Sequence, residues 1–187
     1  MGEFRDMTLG HSKEILNFRL DPRKGIGVAA TFDTTTTTAA TRDTNTEWLN
    51  ERYNIIRHWD TFTDGSVYTF KLDHRYSDGD DITVDVEWTT DTSTSGNAYL
   101  KAGLTQPTAT GVLGTDTDSE YIAFNTYAGP TAAGEVITTS FTFSGSGITA
   151  NDQLAFIFIN DAASGSSTIN DELKVLGINI KLPINKL

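Results

Sequence analysis

The side chains that could carry catalysis in this chain are few and widely spaced. The three histidines, His11, His58 and His74, form neither an H-x-H nor an H-E-x-x-H pattern, the spacings that bring imidazoles to one zinc ion. Ser146 lies between Gly145 and Gly147 in a segment predicted to be a turn. It is not followed by a predicted helix, as the catalytic serine of a strand-to-helix elbow would be. The sequence contains no cysteine, which excludes disulfides and thiolate metal sites. It therefore predicts a protein that is not an enzyme, with a hydrolase on a sandwich scaffold as a weaker alternative.

Carboxylates gather at two places, each beside a predicted strand. The first cluster is Asp78, Asp80 and Asp81, and the second is Asp116, Asp118 and Glu120. Calcium takes about six to eight oxygen ligands and is often bound where loops meet, so either cluster is a calcium candidate. Asp-Gly is equally ordinary turn chemistry, and loop carboxylates also keep a surface hydrated. We expect no cofactor and leave calcium open.

Aromatic side chains are the candidates for carbohydrate binding, because their rings can stack on the apolar face of a sugar. Trp88 is in phase with Ile82 and two valines, so it is predicted to lie in the core. Tyr99, Tyr121 and Tyr127 are the candidates for a sugar-binding surface. Tyr127, beside the turn residues 128–130, is the best placed of the three.

Charge is unevenly distributed along the chain, whose formal net charge is −11. Residues 1–62 carry 8 Lys/Arg against 9 Asp/Glu, whereas residues 63–187 carry 6 against 16. The acidic part would repel phosphates, so nucleic-acid binding is not expected. Either the early positive charges are ordinary solvated residues, or the segment docks on an acidic partner surface. The partner-binding candidates are Arg19, Arg23, Lys24, Trp48 and Arg52.

The elements that must position these residues are mostly strands. Eight segments with alternating or apolar patterns and turn residues between them lie at 55–62, 66–72, 82–89, 97–104, 120–126, 135–143, 153–160 and 172–182. This spacing predicts an all-β, antiparallel β-sandwich or jelly roll of about eight strands. Residues 154–159 are apolar throughout, which indicates a central strand covered on both sides or one at a subunit interface.

Residues 1–54 show no sustained periodicity and are predicted to be a largely irregular arm before a head of residues 55–187. Thr44-Asn45-Thr46-Glu47 fits a capping box and predicts a short helix at about 45–53. No apolar run approaches a membrane span and no signal-peptide core follows the first residues, so neither membrane insertion nor secretion is expected.

Four segments in order, together with Gly134-Glu135 at the start of a strand between the second and third of them, resemble a jelly-roll domain of tailed-bacteriophage virion proteins. They are 81–90 (DITVDVEWTT), 94–100 (TSGNAYL), 148–158 (ITANDQLAFIF) and 171–180 (DELKVLGINI). The resemblance covers residues 79–182 and implies a structural protein on the virion surface that forms a homotrimer. A capsid decoration or head-fibre protein, attached by the arm to the major capsid protein or another virion protein, is the first expectation. The alternatives are a tail or neck protein, or a carbohydrate- or receptor-binding β-sandwich module.

Overall fold

A computed structural model describes residues 13–21, 26–27, 31–32, 35–48, 51–58, 63–91, 96–106, 120–169 and 171–186. None of these residues lies in a helix. The strands are β1 (Lys13–Leu20), β2 (Ile26–Gly27), β3 (Thr31–Phe32), β4 (Thr35–Thr36), β5 (Thr38–Ala39), β6 (Thr41–Trp48), β7 (Glu51–His58), β8 (Thr63–Lys71), β9 (Gly79–Thr89), β10 (Asn97–Thr105), β11 (Glu120–Ala128), β12 (Ile137–Gly145), β13 (Gln153–Asp161) and β14 (Leu173–Asn185). No helix among the described residues could span a membrane.

Strands β7 to β14 form a jelly roll. The first sheet runs β12-β9-β14-β7 and the second runs β11-β10-β13-β8. The first of these strands pairs with the last (β7 with β14), and the pairing continues inward as β8 with β13, β9 with β12 and β10 with β11. This nested antiparallel pairing, divided between two sheets, is typical of a jelly roll. The predicted all-β antiparallel sandwich is confirmed, and its eight predicted segments correspond to these eight strands.

The core lies between the two sheets and follows the alternation read from the sequence. In β9, the alternate residues from Ile82 to Trp88 are fully buried. The Trp88 indole Nε1 donates a hydrogen bond to Thr139 Oγ1 at 2.9 Å, which satisfies its only donor inside the core. The prediction that Trp88 is a core residue is confirmed.

Strand β13 is covered on both sides within a single chain. Leu154, Phe156 and Phe158 belong to the core between the sheets. On the outer side, Ala155, Ile157 and Ile159 form a second apolar cluster with Val67, against which Tyr121 and Phe124 pack. Of the two expectations for this apolar strand, the structure supports the central strand, and no neighbouring copy is needed to bury it.

The described part of residues 1–54 corrects two predictions. Strands β6 and β7 form an antiparallel hairpin, so the helix predicted at about 45–53 is wrong. The segment is also not an irregular arm outside the sandwich: β1 pairs with β14 over residues 178–185, and β2 and β5 pair with β8. The physical reason is that the edges of β14 and β8 present backbone groups that need partners, and β-branched threonines suit strands. The predicted boundary after residue 54 falls inside β7.

Candidate functional site

The outer face of the first sheet carries the most developed polar arrangement in the described chain. Alternate residues of β1, β14, β9 and β12 point inward to the core, so the residues between them point outward. We call this surface the polar face; its residues are Asn17, Arg19, Thr83, Asp85, Glu87, Thr138, Ser140, Thr142, Asn179 and Lys181. Its members come from four neighbouring strands and are therefore fixed by the sheet.

One network on the polar face joins three strands around Glu87. The guanidinium of Arg19 forms an ion pair with Glu87, with Nη2 2.7 Å from Oε2. The other carboxylate oxygen, Oε1, accepts a hydrogen bond from Asn179 Nδ2 at 2.7 Å. Arg19 Nη2 also donates to the carbonyl oxygen of Leu176 at 3.1 Å. Both oxygens of Glu87 are thus held in place.

Gly177 is the residue that makes room for this network. A Cβ atom at Gly177 would lie 2.1 Å from Arg19 Nη2 and 2.8 Å from Glu87 Oε2. The guanidinium therefore lies across β14 only because this position has no side chain. The glycine interrupts β14 at a register irregularity opposite β9.

A second network lies beside the first and is centred on Asp85. Lys181 Nζ is 2.5 Å from Asp85 Oδ2. Ser140 Oγ, from the end strand β12, donates to Asp85 Oδ1 at 2.7 Å. Asp85 is only 7% exposed, although its partners reach the solvent. Two cations and two carboxylates therefore alternate along the polar face, and their formal charges cancel.

A depression of about 350 Å³ lies between the two networks. Its lining residues are Asn17, Phe18, Arg19, Asp85, Asn179 and Lys181. The depression is shallow and largely open to solvent, so a ligand would lie on it and not be enclosed by it. Amide, guanidinium and ammonium groups offer donors there, and carboxylate and amide oxygens offer acceptors. The depression can therefore hold an uncharged ligand with many hydroxyl groups.

The aromatic candidates lie elsewhere, and each of the three is packed against other groups. Tyr127 faces inward, where its ring meets Phe141 edge-on at 5.8 Å, and burial raises its pKa. Tyr121 lies over Gly103 on the outer face of the second sheet, with the Lys101 ammonium 5.4 Å from its ring centre.

Tyr99 is the third aromatic candidate. It is half-buried on the outer face of the second sheet and stacks on Phe124 with ring centres 4.8 Å apart and planes at 17°. One face of Tyr99 is thus covered by another ring. A sugar-binding role for Tyr99, Tyr121 or Tyr127 stays a prediction.

The first predicted calcium cluster is divided between different partners. Asp78 accepts a hydrogen bond from the backbone of Ala150 at 2.7 Å. Asp80 forms an ion pair with Lys13 of β1, and this hydrogen bond is the main reason why the pKa of Asp80 lies below its usual range. Asp81 is exposed.

The second predicted cluster lies only partly within the described residues. Asp116 and Asp118 fall outside them, and Glu120 accepts a hydrogen bond from the Ser144 backbone. Across the residues that the structure describes, no group of three or more His, Cys, Asp or Glu side chains could hold a metal ion. Calcium binding stays a prediction.

Of the predicted partner-binding residues, only Arg19 has a described side chain. It belongs to the polar face and bonds to Glu87 and Leu176. Arg23 and Lys24 lie outside the described residues. Trp48 and Arg52 belong to strands β6 and β7, whose backbone is described but whose side chains are not. Sequence reasoning missed Asp85, Glu87, Asn179 and Lys181 as site residues. Their polar positions on two alternating strands were visible in the sequence, but that pattern alone did not indicate a site.

Comparisons with known proteins give only distant likenesses. No protein-family model and no curated protein matches the chain. Among solved structures, a family 35 carbohydrate-binding module from Clostridium thermocellum is similar at 6% identity and a TM-score of 0.48, covering 88% of this chain and 97% of that one. A family 35 module of Abf62 from Cellvibrio japonicus has 7% identity and a TM-score of 0.46, covering 89% and 92%. An exo-β-1,3-galactanase from Phanerochaete chrysosporium has 11% identity and a TM-score of 0.46, covering 88% of this chain but 29% of that one. At these scores the likenesses carry no argument about function.

Proposed function

We propose that this chain is a carbohydrate-binding β-sandwich module that holds an uncharged glycan on the polar face. The observation that carries the proposal is the depression between the Glu87 and Asp85 networks. Its hydrogen-bonding groups come from three strands, and Arg19, Asn179 and Lys181 are held by Glu87 and Asp85 before any ligand arrives. Such preorganisation lowers the entropy lost on binding.

The chemistry of the lining matches sugar hydroxyls. Each hydroxyl both donates and accepts a hydrogen bond, so a surface that binds several of them must alternate donors with acceptors. Arg19 and Lys181 donate, Asp85 accepts, and the amides of Asn17 and Asn179 do both. The local charges cancel, and the net charge of −11 opposes polyanions, so a neutral glycan fits best.

A structural role in a tailed-virus particle is the other proposal, and it rests on the sequence resemblance. In the described part of the chain, Arg19 is engaged with Glu87 rather than presented on a separate arm. The burial of β13 within one chain also removes the packing argument for a trimer. Attachment to a capsid protein, trimer formation and location on a virion surface stay predictions. The polar face gives the carbohydrate-binding role the more specific support.

A glycan array with the purified chain tests the proposal, followed by calorimetry on any glycan that binds. We expect Asn17→Ala to weaken binding about three- to tenfold, since one net hydrogen bond is worth about 0.5–1.5 kcal/mol. Asn17 is exposed, so this change leaves the fold and both networks in place. The matched control is Asn125→Ala, an exposed asparagine on the second sheet, which is expected to leave affinity unchanged.

Two results would count against the proposal in different ways. If no neutral glycan binds, the carbohydrate-binding function is wrong. If a glycan binds but Tyr99→Ala abolishes binding while Asn17→Ala does not affect it, the function stands and the site moves to the Tyr99–Phe124 pair. Lost affinity in Gly177→Ala, with an unchanged melting temperature, would support the polar face, because the new methyl group must displace Arg19.

A further inference from the structure

The outer edge of β12 has no strand partner among the described residues, and Glu120 bonds to its backbone only at Ser144, near the end of the strand. β12 ends the first sheet and pairs with β9 alone among the described strands. Residues 137–143 keep an unbroken antiparallel register with β9, so this stretch of strand is regular. Its opposite edge presents backbone N–H and C=O groups that can pair with another strand.

Natural proteins usually block such edges with charges, prolines or bulges. The other long end strands of the described chain follow this rule. β1 carries Lys13, Glu14 and Arg19, β6 has three charged residues, and β11 begins at Glu120 and has a register irregularity. β12 has the sequence ITTSFTFSG, with no charged residue and no proline. Its edge is therefore the one most open to pairing.

The side chains of β12 also fit a close neighbour. Phe141 and Phe143 are buried in the core. Thr138, Ser140 and Thr142 are exposed on the polar face, and their small hydroxyl side chains leave room for an adjacent strand. The occupant must be an extended, uncharged strand with the same twist. A second β12 is such a strand, and antiparallel pairing about a two-fold axis makes the contact self-complementary.

We propose that two copies of this chain associate by antiparallel pairing of β12 with β12, which joins their first sheets into one continuous sheet. The two-fold axis is perpendicular to the sheet, so both polar faces lie on the same side. Five strand spacings then separate the two β14 strands, a distance of about 24 Å. If the polar face binds glycans as proposed above, one glycan chain can contact both copies and gain avidity.

Charge substitution on β12 tests the pairing without relying on glycan binding. Sedimentation equilibrium is expected to give about twice the 20.4 kDa chain mass at high concentration, falling to one copy on dilution. The double variant Thr138→Lys/Thr142→Lys is expected to remain monomeric at all concentrations, and so is the double variant Thr138→Glu/Thr142→Glu. An equimolar mixture of the two is expected to restore the dimer, because opposite charges then face each other.

The control places the same two charges on exposed positions of the second sheet, as Thr69→Lys/Thr126→Lys. It is expected to dimerise like the parent chain. All variants change exposed residues, and circular dichroism checks that each is folded. A single copy at every concentration, a trimer, or a dimer that the β12 charges do not weaken would overturn the proposal. Because mass is measured without glycan, a failed glycan array leaves this result unaffected.

Discussion

Replacing Ile157 with alanine tests whether the outer side of the second sheet is buried within one chain. Ile157 is fully buried, and it packs in the second apolar cluster with Val67 and Ile159. The substitution leaves the inward core residues Phe156 and Phe158 untouched. Any loss of stability therefore reports on the outer cluster alone.

The expected loss follows from the atoms removed. Isoleucine to alanine deletes three carbons, worth about 0.8 kcal/mol each when buried, or roughly 2.4 kcal/mol. The cavity left in the cluster, against which Tyr121 and Phe124 pack, adds to this, so the expected loss is about 3–4 kcal/mol, within the usual range for such changes. With a urea m-value of about 2 kcal/mol/M, the unfolding midpoint falls by roughly 1.5–2 M.

Urea denaturation followed by tryptophan fluorescence measures the change. The matched control is Ile15→Ala, because Ile15 is 58% exposed and its loss is expected to cost less than about 0.5 kcal/mol. The stability difference for Ile157→Ala is expected to be the same at low and high protein concentration. A loss below about 1 kcal/mol, or one that appears only at high concentration, would refute the single-chain burial and favour a neighbouring copy as the cover.

Three further predictions concern the first sheet and its loops. Gly145→Ala is expected to destabilise the fold strongly, because a Cβ there would lie 2.0 Å from the backbone oxygen of Asp80; thermal melting measures it. The hydrogen bond from Lys13 is the main cause of the lowered pKa of Asp80. The contact therefore stabilises the fold above the unfolded-state pKa of about 4, and this stabilisation is lost as the pH falls through the folded-state pKa. Asp80→Asn is expected to remove that part of the acid dependence, which urea unfolding between neutral and acid pH measures. Trp88→Phe removes the hydrogen bond to Thr139 and part of a buried ring, and is expected to cost about 2–3 kcal/mol in urea unfolding.

The sandwich itself could be predicted because its information is local. In β9 and β14, apolar residues alternate with polar ones, so each strand shows which side faces the core. Turn residues mark where most strands end, and the predicted segments lie within a few residues of the observed strands. The burial of β13 was also readable, because a strand that is apolar on both faces must be covered on both faces.

The pairing of the first strands could not be predicted from local patterns. β1 is half exposed, with the burial of an edge strand, and only its residues 16–20 alternate between apolar and polar, which is too short a pattern to indicate its partner. What holds it is the open edge of β14 over residues 178–185, which exists only once the jelly roll is complete. The helix predicted at 45–53 failed for the same reason: a capping-box pattern is a weak local preference, and strand pairing outweighs it.

The polar face was missed because its members are distant in sequence. Arg19, Glu87 and Asn179 come together only through the pairing of β1 with β14 and of β14 with β9. Their polarity was visible, but polar residues on the outer side of a strand are expected on any sandwich. Spacing along the chain therefore gave no sign that they form one network.

The proposed glycan binding would account for the Arg19 network better than stability does. Exposed ion pairs contribute about 0–1 kcal/mol, and the Arg19 side chain is 52% exposed. Yet the network requires Gly177 in the interior of β14, where a glycine weakens a strand and loses a side chain that could cover it. The network adds little stability, and the glycine that it requires weakens a central strand. Both are more readily explained if the fixed guanidinium, beside a carboxylate and two amides, binds a ligand. The glycan-binding measurements on Asn17→Ala and Gly177→Ala test directly whether the Arg19 network belongs to a binding site.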